Sequence, residues 1–199
     1  MNYYYFLVFL VARALASPNG APQQACSSMT PGHGYNPQTK SSPFIVLPLT
    51  NEIMQSSFVP IGLSSVTDDY FRGFLVMAFD NDGEPIGRFS DEGDFRFMDC
   101  SNGTNVYVNV NNAVTHSTNA DKMFVRLNWM PPSYFTGPVH FRATFVKNVS
   151  HYWVNINSSV VNVIPFTSMP SSAEVNFANS TISLLALPLL LLALIAAKF

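Results

Sequence analysis

The sequence predicts an all-β domain, either a sandwich or a barrel. Period-two alternation of apolar and polar residues recurs through the middle of the chain, in runs rich in Val, Phe, Tyr and Trp. Turn residues punctuate those runs at intervals of about 8–12 residues, the spacing of an antiparallel architecture. No stretch between the two apolar ends shows the long 3.6-residue period of an amphipathic helix, and no internal repeat is present.

The elements follow in order. Ile45-Val46-Leu47 is a short strand. Phe74 to Phe79 is an unbroken apolar run, which predicts a strand buried on both faces. Asp80-Asn81-Asp82-Gly83 is a tight turn ahead of Ile86. After Cys100, Asn102-Gly103 makes a turn, and Val106, Val108 and Val110 alternate with Asn105, Tyr107 and Asn109. Met123, Val125, Leu127 and Trp129 then share one face, opposite Phe124, Arg126 and Asn128. Trp129 is expected in the core. Pro131-Pro132 and Gly137-Pro138 bracket an exposed loop. Val139, Phe141, Ala143 and Phe145 form the next inward face, and Lys147-Asn148-Val149-Ser150 turns the chain. Tyr152, Val154 and Ile156 form the last one, opposite Trp153 and Asn155.

Both ends are apolar. Residues 1–16 read as a signal peptide, with Ala14-Leu15-Ala16 as a small-x-small cleavage site. They lack a basic n-region, and the alternative is an N-terminal anchor. Residues 182–199 form a hydrophobic tail followed by almost no basic flank. Ser171 and Ser172 offer small attachment residues, residues 166–181 act as linker and spacer, and the whole reads as a GPI signal. A single C-terminal span is the alternative. Either way the expected location is extracellular, at the cell surface. Residues 17–165, roughly 150, suffice for one domain with a real core.

Charge is sparse. The chain of 199 residues has 10 Lys and Arg against 12 Asp and Glu, a net charge of −2. With no basic stripe, nucleic acid is excluded as a partner. Asn102, Asn148, Asn157 and Asn179 each open an N-x-S/T sequon, as suits a secreted glycoprotein. The two cysteines, Cys26 and Cys100, are read as one disulfide in an oxidising compartment.

Candidate chemistry is thin. His33 between glycines reads as turn geometry, and His116 as a strand-end hydrogen bond. His140 and His151 read as solvent-facing. None has a second ligand at metal spacing. Asp80, Asp82 and Glu84 depart from the EF-hand pattern and fit a hairpin turn. No G-x-S-x-G, H-E-x-x-H or P-loop occurs. The expectation is a binding protein with no catalytic residues, cofactor or metal. Tyr134 and Phe135, in the loop after Pro131-Pro132, are a candidate binding edge. The Gly32-His33-Gly34 loop is the other candidate.

Several segments resemble the reeler (reelin N-terminal) domain family. Cys26 followed by Met29-Thr30-Pro31-Gly32-His33-Gly34 resembles its Cys and Met-x-Pro-x-His-Gly opening. Phe71-Arg72-Gly73-Phe74-Leu75, Ile86-Gly87-Arg88-Phe89, Val114-Thr115-His116 and Trp129-Met130-Pro131-Pro132 resemble later elements. So do Gly137 to Val146 and Tyr152-Trp153-Val154. Their common order from Ala25 to Val163 carries the resemblance. It implies an immunoglobulin-like antiparallel β-sandwich with a Cys26–Cys100 bridge. The family includes reelin, F-spondin, ferric-chelate-reductase-like membrane proteins and small insect defence proteins, which this chain resembles apart from its anchor-like tail. The resemblance implies a recognition module without the reductases' redox activity. The expected partner is a microbial or matrix glycoconjugate in innate immunity, or another extracellular protein in an adhesion role, since fold alone does not fix the ligand.

Overall fold

The structure, a computed structural model, describes residues 17–90, 93–100 and 111–166. The signal-like and tail segments lie outside them. So do Asn102, Asn179, Ser171, Ser172 and the alternating run Val106 to Val110.

Among the described residues, eleven strands and one helical turn make up the order α1 (Ala25–Ser28), β1 (Phe44–Pro48), β2 (Glu52–Met54), β3 (Val59–Ser65), β4 (Gly73–Phe79), β5 (Arg88–Ser90), β6 (Phe95–Met98), β7 (Ala113–His116), β8 (Phe124–Met130), β9 (Gly137–Asn148), β10 (His151–Asn157) and β11 (Val161–Ile164). One sheet runs β1-β3-β8-β5. The other runs β2-β11-β9-β4-β7-β6. β9 is long enough to take two partners along one edge: β11 pairs with Gly137–Val139, and β10 with the stretch from Arg142 to Asn148.

The core lies between the sheets and is built from alternate residues. Ile61 and Leu63 of β3 and Leu127 and Trp129 of β8 meet Phe74 and Val76 of β4 and Phe141 and Phe145 of β9. Each is almost wholly buried. The expected inward face of β9 is therefore present in full. Trp129 is buried as expected, with its ring edge-on to Phe141 and its Nε1–H donating to the Ile86 carbonyl at 3.0 Å. Gly87 sits below that indole with φ +70°, and a Cβ there would run into the ring, so only glycine fits. The turn after β4 also forms as expected: the Asp80 carboxylate accepts the amides of Asp82 and Glu84.

β4 is buried at every position because both faces are covered. Phe74, Val76 and Ala78 face the inter-sheet core. Leu75, Met77 and Phe79 face a second cluster with Ala25, Met29, Met98, Cys100 and Ala113. The N-terminal segment thus lies on the outer face of the second sheet.

The alternation fails in two strands. In β10, a bulge falls between Trp153, opposite Phe145, and Ile156, opposite Ala143, with Asn155 at φ 56°. Trp153 and Ile156 therefore pack on the core, while Tyr152 points to the other face and reaches the Tyr35 carbonyl. Met123 precedes β8 and is exposed, so the inward face there begins at Val125. Pairing is antiparallel except for β11 against β2, which run parallel.

Candidate functional site

The N-terminal segment does more than cover the second sheet. It crosses the sheet, reverses, and returns, leaving a cleft between its two arms. The reversal is built from α1 and from Met29, whose left-handed φ of 52° ends the turn. The disulfide Cys26–Cys100 fixes the bend, with Cα atoms 5.3 Å apart.

The first arm is tied to β6 and β7. The Ala21 amide donates to Thr115 Oγ1 at 2.8 Å, and the Arg96 guanidinium donates to the Ala21 carbonyl at 2.8 Å. The second arm is tied to β9 and β10. Thr144 Oγ1 donates to the Met29 carbonyl at 2.5 Å, and the His33 ring stands edge-on to Tyr152 at 5.6 Å. The result is a clasp: two arms, each hydrogen-bonded or packed against the sheet, joined at a covalent bend.

The cleft between the arms has a volume of about 340 Å³. Leu75, Val146 and Thr144 belong to its floor strands, and Pro22, Met29 and Pro31 to the arms. Arg72, Asn119, Lys147, Asn148 and Val149 also line it. No Asp or Glu does. The two cations are nevertheless neutralised nearby: Arg72 Nε donates to Asp121 at 2.7 Å, and Lys147 Nζ to Asp69 at 2.6 Å.

His116 closes one wall. Its Nδ1 lies 3.2 Å from the Phe74 amide, which donates to it, and 3.3 Å from the Phe74 carbonyl, while Nε2 lies 3.3 Å from the Ser17 carbonyl. Burial lowers its pKa, opposed by the Phe74 and Ser17 backbone, with Lys122 and Arg96 adding to the lowering. The expected strand-end hydrogen bond is present. It also explains Gly73, since a Cβ there would come within 2.9 Å of the His116 ring. Lys122 holds the loop beside this wall by donating to the carbonyls of Arg72, Thr118 and Ala120.

His33 is half-buried in the other wall, with its Nδ1 screened from solvent and unpartnered. Burial lowers its pKa, opposed by the Val149 backbone. His140 is half-buried, where solvent exposure was expected: it stacks on Phe79 at 5.9 Å beside Arg142, and burial lowers its pKa. The reason is that the outward face of β9 is covered in part by its neighbour's aromatic ring. His151 is exposed as expected. Among the described residues, no group of His, Cys, Asp and Glu is placed to hold a metal ion.

The two candidate binding loops lie at opposite ends of β9, separated by roughly 36 Å of extended strand. His33 lines the cleft; Tyr134 and Phe135 do not. Tyr134 is 72% exposed, whereas Phe135 packs against the inter-sheet core and its carbonyl accepts from Gln55 at 3.1 Å. Phe135 is thus a partly buried support for the loop rather than an exposed contact. Asn148 and Asn157 are exposed, and Asn148 sits on the rim of the cleft. Sequence reasoning passed over Arg72, Asn119, Thr144 and Lys147, although Arg72 and Thr144 lie inside the motifs quoted above.

Comparison with known proteins agrees with this architecture. The family model for the Reeler domain matches residues 24–168. The chain is 34% identical to "Putative defense protein 3" of Antheraea mylitta, over 82% of this chain and 98% of that protein. It is 29% identical to ferric-chelate reductase 1 of Mus musculus, over 84% of this chain but only 28% of the reductase. Among solved structures, the human F-spondin reeler domain aligns at a TM-score of 0.51 and 20% identity, covering 65% of this chain and 94% of that domain, a likeness of fold. Fold, motif order and disulfide agree with that match, and the chain belongs to the Reeler domain family.

Proposed function

We propose that this protein is an extracellular, membrane-tethered recognition module that binds a microbial or matrix glycoconjugate without turning it over. The observation that carries the reading is the cleft. It lies in the size range of small-molecule sites and combines apolar walls with a few polar groups at its rim. A covalent bend and two hydrogen-bonded arms hold it open, which limits the ordering cost of binding. The charged side chains around it satisfy one another in ion pairs, as in a binding surface. Family membership and relatives named as defence proteins support a defence setting. Sequons at exposed Asn148 and Asn157 fit passage through the secretory pathway. The signal-like and GPI-like ends supply the address and the tether.

The test is a glycan and glycolipid array probed with the natively processed protein. Binding to microbial or matrix glycoconjugates that survives Tyr134→Ala but is lost on Gly32→Trp supports the cleft. Loss on Tyr134→Ala alone moves the site to the Pro131–Thr136 loop. A blank array removes the reading.

A second reading, adhesion to another protein, draws on the outer face of the β1-β3-β8-β5 sheet. There Leu47 and Phe124 are 45% and 59% exposed, with Phe124 leaning over Gly62. Phe124→Ser would weaken that contact and leave glycoconjugate binding intact.

A further inference from the structure

We propose that the cleft in the clasp takes a single acyl chain, an inference that rests on the cleft being the recognition site. The argument is one of satisfied polar groups. A sugar ring buried in a cleft needs hydrogen-bond partners around its edge. Here most polar side chains of the walls are already engaged with the protein itself, with His33 Nδ1 the unpartnered exception. Thr144 is spent on the Met29 carbonyl, and His116 between Phe74 and Ser17. Lys147 is spent on Asp69, and Arg72 Nε on Asp121. What the cleft offers an occupant is apolar surface from Met29, Leu75, Val146 and Val149, with the Asn119 amide at the lip and Asn148 Oδ1 already accepting from the Ser150 and His151 amides.

The volume agrees. A methylene is close in size to a water, ~30 Å³ in the liquid, so 340 Å³ matches a chain of about eleven carbons. The chain belongs either to a free fatty acid or to a glycolipid whose sugar remains outside, at the rim.

Calorimetry separates these sources. The natively processed protein is titrated, below micelle-forming concentrations, with octyl, decyl and dodecyl maltoside, with the matching fatty acids, and with maltose. Affinity rises about fourfold per methylene and levels off near dodecyl, and maltose alone does not bind. Binding of both series, or of either one, supports the acyl site, and the stronger series identifies the source. Two variants fill the cleft. Gly32 has open space around its Cβ position and accepts a side chain, so Gly32→Trp folds and weakens dodecyl binding at least tenfold. Val146→Trp does the same from the floor, with circular dichroism melts confirming the fold of each. Three results overturn the proposal: no alkyl probe binds, affinity is independent of chain length, or both tryptophan variants bind as the wild type does. Alkyl binding with a blank glycan array keeps the acyl site and removes the glycoconjugate reading. Glycan binding without alkyl binding does the reverse.

Discussion

His116 has Nδ1 3.2 Å from the Phe74 amide and Nε2 3.3 Å from the Ser17 carbonyl, an arrangement that suits the neutral imidazole. Burial lowers the pKa of His116, and likewise of His33 and His140. In the unfolded chain these rings titrate near ~6.5. Between that value and the lowered folded values the unfolded state binds more protons, so stability rises with pH there. It is full above the ordinary histidine pKa and is lost as pH falls through it. Asp69, whose pKa Lys147 lowers, contributes stability that is full above the ordinary carboxylate range and is lost only as pH falls below it, so it leaves this window undisturbed. Urea unfolding at about pH 7.5 and about pH 5 is expected to give the lower midpoint in acid, with the difference reduced in His116→Gln. A midpoint that holds or rises in acid contradicts this. At the far end of β9, Tyr134→Ala is expected to change stability by less than about 0.5 kcal/mol, and Phe135→Ala to cost about 1–2 kcal/mol. Thermal melts of the two single variants check it. The sequence placed both rings in an exposed loop. It did not separate them, because adjacent loop residues carry no period to say which one turns back onto the core.

The clasp is the element whose integrity most affects the proposed site. The cysteines are separated by 74 positions, and in the chain-entropy model a bridge of that span contributes about 4 kcal/mol. Replacing both with Ser is expected to lower stability by about 2–5 kcal/mol and reduce secretion, measured by urea melts and by the secreted fraction. Peptide mapping that finds both thiols free in the wild type overturns the premise. Which elements were legible follows from their physics. β4 and β9 announced themselves because a strand buried on both faces is uniformly apolar, and one buried on a single face alternates. The bulge at Asn155 was hidden because one inserted residue reverses the alternation without changing composition. β2 was missed because it is three residues long with a single buried side chain, and its parallel pairing with β11 is a matter of topology that local pattern does not encode.

At the scale of the molecule, an address and a site are written differently in a chain. Targeting segments are contiguous, so composition reveals them. The cleft is assembled from residues far apart in the chain, such as Ala21 with Thr115 and Met29 with Thr144, and no local window contains it. The motifs did mark its parts, since Met29, Pro31 to His33, Arg72 to Leu75, His116 and Thr144 all contribute to it. The proposed tether makes a prediction for the intact protein on cells. Phosphatidylinositol-specific phospholipase C is expected to release it into the medium, read by immunoblot. Recovery of membrane-bound protein that still carries Phe199 shows a span instead.

β4 has a further consequence. It is paired with β7 on one edge and β9 on the other, and each of its faces is covered, one by the opposing sheet and one by the N-terminal segment. No local fraying exposes its amides, so they exchange with deuterium only when the whole domain opens. Their exchange rate is therefore a direct gauge of global stability. A compound lodged beside Leu75 slows exchange at β4 by the factor its binding adds to the folded state, even where it touches none of those amides.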